Sequence, residues 1–332
     1  MKDTYKKALY IAVCVLGISI VLWTTWRLLP SSANEMRRCA VIVSATSWHE
    51  VTVDGKPVFY FSESEGDSVV NDVTTERKNV LHRNFSTGVW TNDWLLMPSC
   101  KGRLITICNT PNDVLRSCAD STIIRLCREA VTARLRDIKK QKSELNYYMR
   151  VHNVQDYGYQ EVATLDTRVD NALGEAKRVL HLIDSITNGN HGVFVKTHNE
   201  YVATYRSKDG KLMRTPLRLI GTVNGMTLLQ TSDGKTPKGV ATVSLLPWNT
   251  NDNCEALATG FPTIGEKGME CDTVSARIIP ARVKQGRTHQ LPRMLASDGA
   301  PVFSAKGRFI GMVCGDTIVS RKAIRRVLNF EF

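Results

Sequence analysis

Ser297 and Asp298 stand side by side where a glycine turn joins two apolar runs, in Leu295–Gly315, L-A-S-D-G-A-P-V-F-S-A-K-G-R-F-I-G-M-V-C-G. A serine hydroxyl can attack a carbonyl only when a neighbouring base takes its proton and backbone N–H groups receive the developing oxyanion. Cys100 offers a second nucleophile; its thiolate needs a cation close by, and Lys101 and Arg103 follow it in sequence. His289, in G-R-T-H-Q-L-P, can donate a hydrogen bond to a ligand. Beside these readings stand plainer ones, an inert thiol at Cys100 and an ordinary loop histidine at His289. The nine cysteines include no CxxC pair and are read mostly as small buried apolar residues. With no His/Cys spacing suited to zinc and no glycine-rich phosphate loop, neither a metal nor a nucleotide cofactor is expected.

These residues need a scaffold. The 332 residues are 42% apolar and 23% charged, a globular composition that excludes collagen, a pure coiled coil and a disordered chain. Lys plus Arg number 44 against 32 Asp plus Glu, and the net +12 suits an anionic partner or surface without naming one. Ala8–Trp26 carries no charge, follows Lys2, Lys6 and Lys7, and would span about 28 Å as a helix. With Tyr10 near one end and Trp23 and Trp26 near the other, residues 8–26 read as an uncleaved membrane anchor rather than a leader cut near Ser31-Ser32-Ala33. On this reading 1–30 hold the cytoplasmic basic head and the anchor, 31–38 a linker, and the bulk of the chain lies on the exported side. Arg37 and Arg38 oppose that orientation by adding positive charge to the exported flank.

From Cys39 onward short β-rich runs appear: Ala40–Ala45, Glu50–Val53, an Asp54-Gly55 turn, Pro57–Phe61, Gly88–Trp90, Leu95-Leu96 and Arg103–Cys108. Ser62–Lys78, polar and acidic, reads as a surface loop. Then the period changes. Ile124, Cys127, Val131, Leu135 and Ile138, and later Leu165, Val169, Leu173, Ala176, Leu180 and Ile183, recur at three- and four-residue steps, with no proline between Pro111 and Pro216. This predicts two long helices turning near Asp156-Tyr157-Gly158 and closed as an antiparallel hairpin about 50 Å long. Arg134, Arg136, Lys139, Lys140 and Lys142 form a basic stretch near its tip, read as a solvated face because no aromatic residues interleave it. After Gly192 short strands return through Tyr201–Arg206, Leu212–Gly221, Met226–Gln230, Val240–Leu245, Ala256–Thr259, Asp272–Ile279, Val302-Phe303 and Phe309–Val313. Ser320 then caps a final basic helix to Leu328.

Leu295–Gly315 resembles the nucleophile segment of trypsin-like serine proteases, nearest the bacterial high-temperature-requirement (Deg) branch. Four other stretches are similar to that family in the same order. Phe85–Leu96 (F-S-T-G-V-W…W-L-L) resembles the strands before the catalytic histidine, and Arg206–Gln230 those bearing the catalytic aspartate. Ala256–Ala276 (A-L-A-T-G-F-P…T-V-S-A) resembles the A-I-G-x-P…G-I-V-S-A hairpin, and Ile318–Leu328 the final strand and helix. The resemblance implies a mainly β fold, a double antiparallel β-barrel at 39–110 plus 192–332 with the helical hairpin inserted at 111–191. Carried over position by position, it puts the histidine on Cys100, the aspartate on Gly225 or Met226, the nucleophile on Asp298 and the oxyanion-loop glycine on Ala296. All three triad members are replaced. Ser297, one residue early, is the fallback nucleophile but lacks a base, and His289 would approach the specificity pocket.

The expectation is therefore a membrane-anchored pseudoprotease whose barrels bind a protein or peptide. One rival is an active serine endopeptidase with displaced residues. Another is a basic surface, carried by Arg277, Arg282, Lys284, Arg287 and Arg293 and by Arg321, Lys322, Arg325 and Arg326, that binds anionic lipid or, less expected, nucleic acid. A thiol redox role is the weakest, for want of a paired motif.

Overall fold

The computed structural model describes residues 12–19, 30–63, 70–91, 101–107, 119–189, 192–207, 209–245, 254–261, 275–284, 288–292 and 295–329. The fold is mainly β, built from two antiparallel sheets with helices. The strands are β1 Ala40–Val53, β2 Lys56–Glu63, β3 Val70–Thr74, β4 His82–Trp90, β5 Arg103–Thr106, β6 Val193–Arg206, β7 Leu212–Val223, β8 Met226–Thr231, β9 Cys254–Gly260, β10 Arg277–Val283, β11 Pro301–Ser304, β12 Phe309–Cys314 and β13 Thr317–Ser320. The helices are α1 Ala33–Cys39, α2 Asp120–Val151, α3 Tyr159–Asn188 and α4 Arg321–Asn329. The first sheet runs β3-β2-β1-β4-β5-β8-β7-β6, and an additional β1–β6 pairing joins the two ends of its last six strands, the connectivity of a closed barrel. The second sheet runs β10-β9-β11-β12-β13.

Two compact units share the chain. The first comprises Met1–Ser44, Phe85–Cys108 and Tyr201–Phe332; the second comprises Ala45–Asn84 and Asn109–Glu200. Within the first, Val89, Ile105, Met226 and Leu228 of the barrel strands share one buried core with Phe303, Phe309 and Met312 of the second sheet and with Ile324, Val327 and Leu328 of α4. Ser320 Oγ accepts from the Ala323 N–H at 3.1 Å, the cap that starts α4. Within the second unit, one face of α2 (Ile124, Cys127, Val131) and of α3 (Val179, Ile183) packs with Phe59, Phe61, Val70 and Val73 of β2 and β3. The pairing of α2 with α3 is antiparallel: Arg128 meets Asp184 at 2.8 Å, while Lys142 meets Asp166 and Asp170 at 2.7 Å.

Local sequence explains the turns. Asp54-Gly55 (φ 50° and 81°) and Asn224-Gly225 (φ 52° and 75°) hold both central residues at positive φ, as a type I′ hairpin requires and as Asp-Gly and Asn-Gly supply. Gly158, at φ 86°, precedes α3 where the helical turn was expected.

Several local expectations are corrected. Glu50–Val53 is not a separate strand but the end of an unbroken β1. The loop expected over 62–78 contains β3, whose Val70 and Val73 are buried against the helices, so a short polar-looking run carries enough apolar surface to pair. Val240–Leu245 forms only a single bridge, Val243 to Thr91. Leu165 is 39% exposed, so the apolar stripe of α3 is not buried along its whole length. Lys142 is not part of a free basic face, because it lies between two aspartates and is only 20% exposed. The expected membrane anchor lies mostly outside the described residues: 12–19 are helical, and among the described residues no helix is long and apolar enough to cross a membrane.

Candidate functional site

Ser297 and Asp298 lie within the first unit, where β4 meets the loop before β11. β4 pairs with β5 (Gly88 opposite Thr106), and the Thr106 hydroxyl donates to the Thr87 carbonyl at 2.8 Å. The hydroxyls of Ser86 and Thr106 lie 2.8 Å apart. The loop closes on this strand from the other side. The Thr87 N–H donates to the Asp298 carbonyl at 3.0 Å, and Gly299 approaches so closely that a Cβ there would overlap the Thr87 carbonyl oxygen. At φ 86°, only glycine suits the position. The Gly299 N–H donates to the Val313 carbonyl at 2.8 Å and the Val313 N–H returns to Ala300 at 2.9 Å, which pins the loop to β12.

This pinning decides where Ser297 points. Its Oγ lies 2.7 Å from Thr87 Oγ1. A threonine hydroxyl cannot hold an abstracted proton at neutral pH, so this contact orients Ser297 without activating it. Asp298 is exposed and accepts from the Gly315 N–H at 2.7 Å. Beside it, burial first and the Asp298 charge second push the Cys314 thiol above its ordinary pKa, keeping it protonated. Ala296 is 1% exposed, and its N–H donates to the Pro292 carbonyl at 3.2 Å. That N–H therefore points back into its own turn instead of toward an oxyanion.

The other positions are not drawn to Ser297. Gly225 is taken up by the β7–β8 turn, and nothing lies within 4 Å of where a side chain would begin; Met226 next to it is buried in the core. His289 Nδ1 accepts from the Leu291 N–H at 3.1 Å, which puts the ring proton on Nε2, and Nε2 is buried with no partner among the described residues. Cys100, Arg287 and Arg293 lie outside the described residues. An imidazole does meet a hydroxyl in the second unit, where His49 Nδ1 is 3.1 Å from Thr197 Oγ1. That ring is 4% exposed and stacks on Phe61 at 4.6 Å, so it serves packing. Among the described residues no group of three or more His, Cys, Asp or Glu side chains is placed to hold a metal ion.

Sequence reading missed two features. Thr87 gave no signal, because its importance comes from a loop more than 200 residues away. Arg37 and Arg38 on α1 line a cavity of about 250 Å³ with Arg206 at the end of β6. Arg206 lies far from Arg37 and Arg38 in sequence, and only the fold gathers the three.

No family model matches the chain, and no curated protein matches it. Among solved structures it is similar to the crystal structure of Deg5, at 10% identity over 90% of this chain and 92% of that one with a TM-score of 0.37. It is also similar to the apo MamO protease domain from Magnetospirillum magneticum, at 12% identity over 39% of this chain and 75% of that one with a TM-score of 0.30. At TM-scores this low the likeness carries no weight of its own.

Proposed function

We propose that this chain is a membrane-anchored, trypsin-like double-barrel pseudoprotease that holds a protein or peptide partner on the exported side without cutting it. Residues 39–110 plus 192–332 form the barrel domain in this reading, 111–191 an inserted arm, and 8–26 the anchor. The strand order supports the barrel, since six antiparallel strands return on themselves and the sequence segments named above fall on β4, β7–β8, β9, β11–β12 and β13–α4 in family order. One observation carries the inactivity: the Ser297 hydroxyl is satisfied by Thr87. No base or oxyanion donor stands behind it among the described residues, so the preorganisation that makes such hydrolysis fast is missing.

The test incubates the full chain in detergent with an unfolded protein substrate and with a serine-reactive phosphonate. Neither peptide products nor a phosphonylated Ser297 peptide is expected by mass spectrometry. Turnover abolished by Ser297→Ala would reinstate the endopeptidase reading.

A further inference from the structure

The cavity between α1, the end of β6 and the start of β10 belongs wholly to the first unit and has no role in the reading above. Its volume is about 250 Å³, and three arginines line it: Arg37, Arg38 and Arg206. Among the described residues that line it there is no Asp or Glu. Glu35, the acid on α1, is turned away: its carboxylate accepts from the Ser32 N–H at 2.8 Å and the Ser32 hydroxyl at 3.0 Å, closing the capping box.

Arg37 and Arg38 keep donors to spare. Arg38 Nε donates to the Gly239 carbonyl at 2.5 Å, which fixes the plane of the guanidinium and leaves its terminal nitrogens without a partner among the described residues. Arg206 is steadied by the Gly210 carbonyl at 2.5 Å. Arg37 is exposed and carries no hydrogen bond or ion pair among the described residues. Thr204, Ser207 and Ser275 add hydroxyls to the same wall, and Tyr205 and Phe261 add aromatic surface. Forked donors, hydroxyls and rings around a half-open cavity suit a tetrahedral dianion on an apolar or aromatic body.

We propose that this cavity binds a phosphate monoester, either a lipid headgroup or a small soluble phosphate. The lipid source is favoured by position, a preference that rests on the anchor reading, because α1 begins only a few residues after Trp26 and such a linker reaches about 20 Å when extended. The site itself does not depend on that reading or on the inactivity of Ser297.

The experiment titrates the full chain in detergent by calorimetry with inorganic phosphate, phenyl phosphate, dihexanoyl phosphatidic acid and dihexanoyl phosphatidylcholine. Saturable binding of the monoesters, with phosphatidylcholine silent, is expected. Arg37→Gln should weaken it about tenfold or more, the scale of one charge-assisted hydrogen bond. Because Arg37 touches nothing else described, the variant should keep the parent's melting temperature. Arg38→Gln should weaken binding at least as much. Phosphatidic acid bound more tightly than phenyl phosphate assigns the lipid source, and the reverse order assigns the soluble one. Failure of every monoester to bind, or equal binding by the Arg37→Gln variant, would overturn the proposal.

Discussion

The loop around Ser297 and the cavity around Arg37 lie in the same unit and treat their polar groups in opposite ways. In the loop, the Thr87, Ser297, Asp298 and Gly299 groups described above are all bonded within the protein. In the cavity, Arg37 and the terminal nitrogens of Arg38 have no partner among the described residues, and no carboxylate is among the described lining residues. Preorganised groups that are already paired hold a fold together, whereas preorganised groups without partners are placed for a ligand. The difference teaches that polar groups in one unit serve as a structural clasp where they pair with one another and stay available where they do not.

The comparison breaks most visibly at Gly299. Gly299→Ala should cost about 3 kcal/mol or more, because its Cβ meets the Thr87 carbonyl and φ is positive; urea unfolding measures it. A mild effect would mean that the clasp is loose. Alkaline pH probes α1, the helix that presents the cavity arginines. Burial raises the Cys39 thiol well above its ordinary range and the Cys127 thiol to about 12, so above about pH 9 the unfolded chain loses protons that the folded chain keeps. Stability is therefore fully present below about pH 9 and falls as pH rises, by up to ~1.4 kcal/mol per pH unit for each thiol. Cys39→Ala should remove one thiol's share of that slope in denaturation series between pH 8 and 11.

Smaller effects sharpen the contrast. Ser297→Ala should lower stability by about 1 kcal/mol, the worth of one hydroxyl pair, with no change in background turnover. Arg37→Gln should leave stability within about 0.5 kcal/mol, since the side chain contributes to no described contact. A large loss there would make the arginine structural and erase the distinction between the two regions.

How far the sequence foretold these regions follows from the range of the interactions. The helices were legible because Ile124, Cys127, Val131 and Leu135 repeat at helical spacing, and the hairpins because Asp54-Gly55 and Asn224-Gly225 specify their turns locally. β3 was not legible. Its few residues look polar, and only packing against α2 and α3 makes Val70 and Val73 core residues. At the site, the turn at Ser297 was visible as a motif, while its partner Thr87 was not, because nothing in F-S-T-G-V-W marks which hydroxyl faces a distant loop. The cavity was invisible for the same reason: Arg37 and Arg38 drew notice only as charge near a membrane flank until pairing of β1 with β6 brought Arg206 to them.

Strand β1 also has a consequence for biosynthesis. The Ser44 hydroxyl donates to the carbonyl of Val202, 158 residues downstream, so the first barrel strand leaves the ribosome long before its closing neighbour exists. At about 5–20 residues per second that wait lasts roughly 8–30 s. Throughout it the part of β1 that β6 later covers keeps an open edge, which can pair with another chain until the barrel shuts.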